Sequence, residues 1–186
     1  MNRLYFSLLF LLLSCTVFAQ REYMKFMGIP LNGSITNFQQ KLEAKGVKLN
    51  KVVNSKVAVG TRVFKGPFSG ENADVYVYYN EKTKIVYRAK TVIEYPTKDI
   101  GERNFEKFSS MLKEKYLSGV VKDGEQEGHP ALCMRVLDNN FEFTIGFVSM
   151  YISDANDFFD EHVYLHIDYE DEANSQSDKH TNMDDL

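Results

Sequence analysis

The sequence predicts an α+β domain in which an antiparallel sheet of about six strands carries two amphipathic helices on one face. Two segments place apolar residues at helical spacing, Ile35, Phe38 and Leu42 in one and Phe105, Phe108, Leu112 and Tyr116 in the other. Between and after them lie runs rich in Val, Ile, Tyr and Phe that alternate with polar residues, the period of a half-buried strand. Two such helices need an apolar sheet face to bury their stripes, and the strands supply one.

Residues 1–19 are expected to be a signal peptide. Arg3 gives a positive start, an apolar run extends from Leu4 to Phe18, and Val17-Phe18-Ala19 presents small or branched residues to an export peptidase before Gln20. The run is interrupted by Ser7, Ser14 and Thr16 and is shorter than the roughly 20 apolar residues of a membrane-spanning helix, so no transmembrane span is expected in the mature chain. Leu12-Leu13-Ser14-Cys15 resembles a lipoprotein processing box, which makes acylation of Cys15 the alternative to cleavage after Ala19. That box prefers a small residue where Leu13 stands.

Cleavage at Ala19 leaves 21 bases against 26 acids, a net charge of −5, and a single cysteine, Cys133. An internal disulfide is then excluded, so the exported domain must hold through its core alone. Residues 20–152 are mildly basic, while residues 153–186 hold 11 acids and one base, Lys179. No basic cluster is dense enough for phosphate-backbone binding, and a nucleic-acid partner is not expected.

After the punctuation of Pro30 and Gly33, Ser34 is the N-cap of a helix over 35–45 that Gly46 ends. Residues 57–64 read as a strand interrupted by Gly60. The clearest hairpin is DVYVYY (74–79), a turn over Asn80-Glu81-Lys82-Thr83, and KIVYRAKTVI (84–93). With Tyr79 opposite Lys84, Tyr76, Tyr78, Ile85 and Tyr87 share one face and Val75, Val77, Val86, Arg88 and Lys90 the other. A second helix over 102–117 follows Pro96, then a polar loop GEQEGHP (124–130). Strands over 131–137, 141–152 and 162–170 complete the sheet. A single domain over 20–170 thus admits two helix-strand-strand-strand halves, 20–96 and 97–170, with Phe38 and Leu42 matching Phe108 and Leu112 at an offset of 70. From Asp171 on, large apolar residues are almost absent, which predicts an acidic disordered tail over 171–186.

Few constellations carry chemistry. His162 and His166 in HVYLH would share a face and could grip zinc on a helix, but Val163, Leu165 and Ile167 alternate with them, and along a strand they stand roughly 13 Å apart. SDANDFFDE (153–161) is acidic like a calcium loop, yet Phe159 stands where such a loop needs glycine. Neither a metal nor another cofactor is expected. Cys133 with His129 has the residue types of a nucleophile and base, but Cys133 lies among apolar neighbours and reads as a buried, inert thiol. Tyr76, Tyr78 and Tyr87 suit packing of the sheet or core, as tyrosines in strands do, and with Arg88 and Lys90 as a charged rim they alternatively offer a recognition surface, because tyrosine supplies rigid contact area at low entropic cost.

The run F-M-G-I-P-L-N-G-S-x-x-x-F-x-x-x-L-x-x-K-G from Phe26 to Gly46 resembles the opening of small uncharacterised exported bacterial proteins. The succession of helix and strands is similar to the tandem α/β arrangement of beta-lactamase inhibitor proteins and of small outer-membrane assembly lipoproteins, although the disulfides of the inhibitor family have no counterpart here. Three functions are therefore expected to compete. The first is an exported noncatalytic module binding a protein, peptide or glycan. The second is a hydrolase using His162, His166 and acids from 154–168. The third is an envelope assembly factor anchored by a lipid on Cys15.

Overall fold

The computed structural model describes residues 21–117, 119–155 and 161–183. The expected signal peptide, its cleavage site and Cys15 lie outside them, as does the centre of the acidic loop, 156–160.

The chain enters through a two-stranded ribbon, β1 (Lys25–Phe26) and β2 (Ile29–Pro30), and reaches helix α1 (Ile35–Ala44). The Ser34 side chain accepts a hydrogen bond from Asn37 N, and Ile35, Phe38 and Leu42 are buried, as the stripe predicts. Short β3 (Lys48–Leu49) and α2 (Lys51–Asn54) lead to the meander β4 (Thr61–Phe68), β5 (Glu71–Tyr79) and β6 (Val86–Tyr95). Gly60 precedes β4 with φ of 85° instead of interrupting it, so this strand lies four residues later than its expected start.

Helix α3 (Lys98–Lys115) begins directly after Pro96 and Thr97, earlier than the apolar stripe alone indicates. A second meander follows: β7 (Val120–Gln126), β8 (His129–Leu137), β9 (Thr144–Asp154) and β10 (Val163–Asp171). The main sheet has eight strands, not six, in the order β3-β4-β5-β6-β10-β9-β8-β7, and every neighbouring pair is antiparallel. The two extra strands escape notice because β3 has two residues and all seven of β7 are exposed, which leaves no apolar alternation to read. The expected loop over 124–130 is the tip of the β7–β8 hairpin. Its turn residues Glu127 and Gly128 have φ of 54° and 76°, and Met27-Gly28 and Ser69-Gly70 close their hairpins in the same left-handed pair. Two-residue turns of this kind match the twist of the strands they join.

One face of the sheet forms the core. Val75, Val77, Ala89, Ile93, Val148, Met150, Leu165 and Ile167 join the stripes of α1 and α3 and the ribbon residues Met24, Phe26, Ile29 and Leu31 in one buried cluster. Each Val, Leu, Ile, Phe or Met among them contributes about 1.5–3 kcal/mol on burial. Approach is close at two glycines: a Cβ on Gly101 of α3 would lie 2.5 Å from Val163 Cγ2, and one on Gly146 of β9 would lie 2.1 Å from both Glu170 O and Met24 Cγ.

The tail departs from expectation. Residues Glu172–Met183 form helix α4. Asn174 Nδ2 donates to Leu31 O at 2.7 Å, Asn80 Nδ2 donates to Asp178 Oδ1 at 2.9 Å, and Ser175 is buried with its hydroxyl on Glu170. A polar segment is ordered here by specific hydrogen bonds, which composition does not reveal. Among the described residues, no helix is long and apolar enough to cross a membrane.

Candidate functional site

The other face of the sheet presents the residues that alternate with the core. Tyr76 and Tyr78 of β5 stand opposite Lys90 and Arg88 of β6. This corrects the expected facing, in which Arg88 and Lys90 share a face with Val75 and Val77. The turn is longer than the strand period implies: Asn80 Oδ1 accepts from Lys82 N and Thr83 N, Lys84 takes φ of 62°, and Ile85 bridges to Ser34. Tyr79 therefore pairs with Val86, the register shifts between Tyr78 and Tyr79, and Tyr87 falls in the irregularity. Tyr87 is half-buried, and its phenol is raised by burial and then by Asp178 of α4.

Strand β10 lies beside β6, and its outward residues complete two side-chain groups. Arg88 Nε donates to Asp168 Oδ1 at 2.9 Å and Oδ2 at 3.0 Å, and its Nη2 also bonds Oδ2. The guanidinium carbon lies 5.0 Å from the Tyr78 ring centroid, within cation–π range. The hydrogen bond to Asp168 raises the Arg88 pKa further, which fixes its positive charge. In the second group, Lys90 Nζ donates to Tyr151 Oη at 3.1 Å, and the Tyr151 ring stacks on His166 with centroids 4.5 Å apart and planes at 16°. His166 Nε2 is 2.8 Å from Ser153 Oγ. Burial, and then Lys90, push the imidazole down to about 4, so it is neutral near pH 7. Its Nδ1 is buried and has no hydrogen-bond partner among the described residues. Burial also raises the phenols of Tyr76 and Tyr78. The face is thus a half-buried layer of tyrosine, arginine, lysine, histidine and serine.

Among the described residues, which leave out Asp157 and Asp160, the groups of the expected hydrolase stand apart. His162 precedes β10 and lies 3.9 Å from Glu94, whereas His166 contacts Tyr151 and Ser153. Asp168 is held by Arg88, and Asp154 is 2.9 Å from His129 Nε2. Among the described residues no three His, Cys, Asp or Glu side chains converge as a metal site. Cys133 is exposed, not buried: Leu132, Met134 and Val136 point inward, and the strand period turns Cys133 outward. His129, four positions before Cys133 on β8, is buried against Asp154 of β9. The roles of Tyr151, Ser153 and Asp168 escape the sequence because they depend on the long-range β6–β10 and β10–β9 registers.

No family model, no curated protein and no solved structure matches the chain.

Proposed function

We propose that the chain is an exported, noncatalytic interaction module that binds a protein, peptide or glycan across the sheet face of Tyr76, Tyr78, Arg88, Lys90 and Tyr151. One observation carries this reading: on the face opposite the α1 and α3 stripes, tyrosines and fixed charges occupy the outward positions of adjacent strands. Rigid aromatic rings beside a bidentate arginine–carboxylate pair suit recognition, and their partners are already oriented before a ligand arrives.

Glycan and peptide arrays test the reading. Bound ligands should lose affinity by more than about tenfold in Tyr78→Ala and in Arg88→Ala, the size of a central anchor, while circular dichroism stays native. Ligands whose affinity is indifferent to Tyr76→Ala, Tyr78→Ala and Arg88→Ala together would refute it.

A second reading rests on the contact between Ser153 and the neutral His166. A serine paired with such a base is the minimal unit of acyl transfer. Labelling of Ser153 by a fluorophosphonate, abolished in His166→Gln, would favour a hydrolase over a binding module. The third, a lipid-anchored assembly factor, is decided by intact mass: a mature chain beginning at Gln20 excludes it, and an acylated Cys15 establishes the anchor.

A further inference from the structure

The face of the sheet that carries the helices holds an opening of a different kind. Between α3, the β1–β2 turn and the β4–β5 turn lies a cavity of about 600 Å³, lined by Met27, Phe68, Phe108, Met111, Leu112 and Ile167. That size falls within the roughly 300–1,000 Å³ of small-ligand sites. The floor is buried core, whereas Met111 is 45 % exposed at the rim. Methionines there suit a flexible apolar guest, since their unbranched side chains adapt to its shape.

The cavity has a polar end. Lys115 lines it and also lines an adjoining trough of about 670 Å³ walled by Arg21, Glu22, Lys25 and Tyr116. The Lys115 ammonium lies 4.8 Å from the Tyr116 ring centroid and 5.7 Å from that of Tyr169, which also lines the cavity. Among the described residues no carboxylate forms an ion pair with it, although Glu114 stands on the rim. Burial, and then the nearby charge of Lys25, lower its pKa, the signature of a cation lacking an anion. An apolar chamber with Lys115 at one end, and Lys25 in the trough beyond it, is complementary to a molecule with an apolar tail and a terminal negative charge.

We propose that this cavity binds a linear fatty acid, its acyl tail between α3 and the floor of Phe68, Phe108 and Ile167, its carboxylate on Lys115 beside Lys25. The site is separate from the tyrosine face, and its success or failure is independent of the proposed function.

Calorimetric titration of the purified protein with saturated fatty acids from octanoate to tetradecanoate, each below its micelle concentration, tests the proposal. Affinity should tighten about fourfold per added methylene until the cavity is full. The acid should bind at least about tenfold more tightly than the alcohol or amine of the same length, as expected for a charge-assisted contact. Lys115→Met and Lys115→Gln should remove that preference while the alcohol still binds. Met111→Trp, at an exposed position, should obstruct the mouth and weaken every ligand, and Lys122→Gln on the exposed strand β7 should leave every affinity unchanged. Absence of binding at about 0.1 mM, affinity independent of chain length, or an acid preference that survives both Lys115 variants would overturn it. Equal binding of acid and alcohol in the unmodified protein would show an apolar cleft without an anion seat, and would overturn it as well.

Discussion

Arg88 on β6 reaches diagonally across the central strand pair to Asp168 on β10, with Nε 2.9 and 3.0 Å from the two carboxylate oxygens. The aspartate side chain is 8 % exposed and the arginine 38 %. The pair thus lies between two regimes: exposed pairs contribute about 0–1 kcal/mol, and breaking a buried one costs about 3–5 kcal/mol. Arg88→Met should destabilise the fold by about 2 kcal/mol, because it strands a nearly buried carboxylate. A double-mutant cycle with Asp168→Asn, read by urea unfolding, should show a coupling above about 1 kcal/mol. Additive effects would mean that the pair contributes only to recognition.

His166 gives the fold an acid dependence. Its folded pKa of about 4 lies below the ordinary 6.5. The unfolded chain therefore takes up a proton between these values that the folded chain refuses. Stability present above pH 6.5 is lost as pH falls toward 4, with a slope of at most about 1.4 kcal/mol per pH unit. Asp171, whose carboxyl is raised by burial, works in the opposite sense through the carboxylate range. The comparison with His166→Gln isolates the imidazole: the variant should show a flatter slope from pH 6.5 downward. Parallel curves would contradict the assignment.

Gly101 should resist the substitution that usually helps a helix. Alanine in place of a helical glycine gains about 1 kcal/mol from propensity, but here its Cβ would meet Val163 Cγ2 at 2.5 Å. Overpacking of that kind costs about 1–3 kcal/mol. Gly101→Ala is therefore expected to lower the Tm, and adding Val163→Ala should restore part of the loss. A Tm that rises in the single variant would show that β10 yields freely.

Helix α4 should matter to stability. Its hydrogen bonds tie the C-terminal segment to the ribbon through Leu31, to the β5–β6 turn through Asn80 and to β10 through Glu170. Removing residues 172–186 leaves these groups without their partners, at about 1 kcal/mol for each hydrogen bond. With about 2–4 °C of Tm per kcal/mol in a domain of this size, thermal unfolding should fall by several degrees. An unchanged Tm would show that α4 adds nothing to the fold, as for a disordered tail.

What the sequence disclosed follows from what local periodicity can encode. Ser34 and the spacing of Ile35, Phe38 and Leu42 announce α1 because cap and stripe are both local. The alternation in DVYVYY sets Val75 and Val77 on one face and Tyr76 and Tyr78 on the other for the same reason, whereas which face meets the helices is decided only by the folded sheet. Strand β7 offers no such signal, since neither of its faces is buried and Val120-Val121-Lys122-Asp123 reads as a polar connection. The side of Arg88 and Lys90 was hidden by a register shift at one turn, and their partners Asp168 and Tyr151 by pairings between distant strands. Helix α4 lacks an apolar stripe and is held by individual polar contacts, each invisible until its partner is in place.

The position of β6 beside β10 has a consequence for how the chain assembles. Within each meander, strands pair with their sequence neighbours, but the contact of Arg88 with Asp168 joins residues 80 apart. Such contacts require closure of a long loop before they contribute, and they slow folding accordingly. The two meanders are expected to form first and the β6–β10 ladder last, as the rate-limiting closure. The same arrangement makes the chain divisible. Severed between Pro96 and Thr97, each piece keeps its own helix and its own meander, and each ends its meander in a strand with one open edge, β6 or β10, whose hydrogen-bonding complement is carried by the other piece.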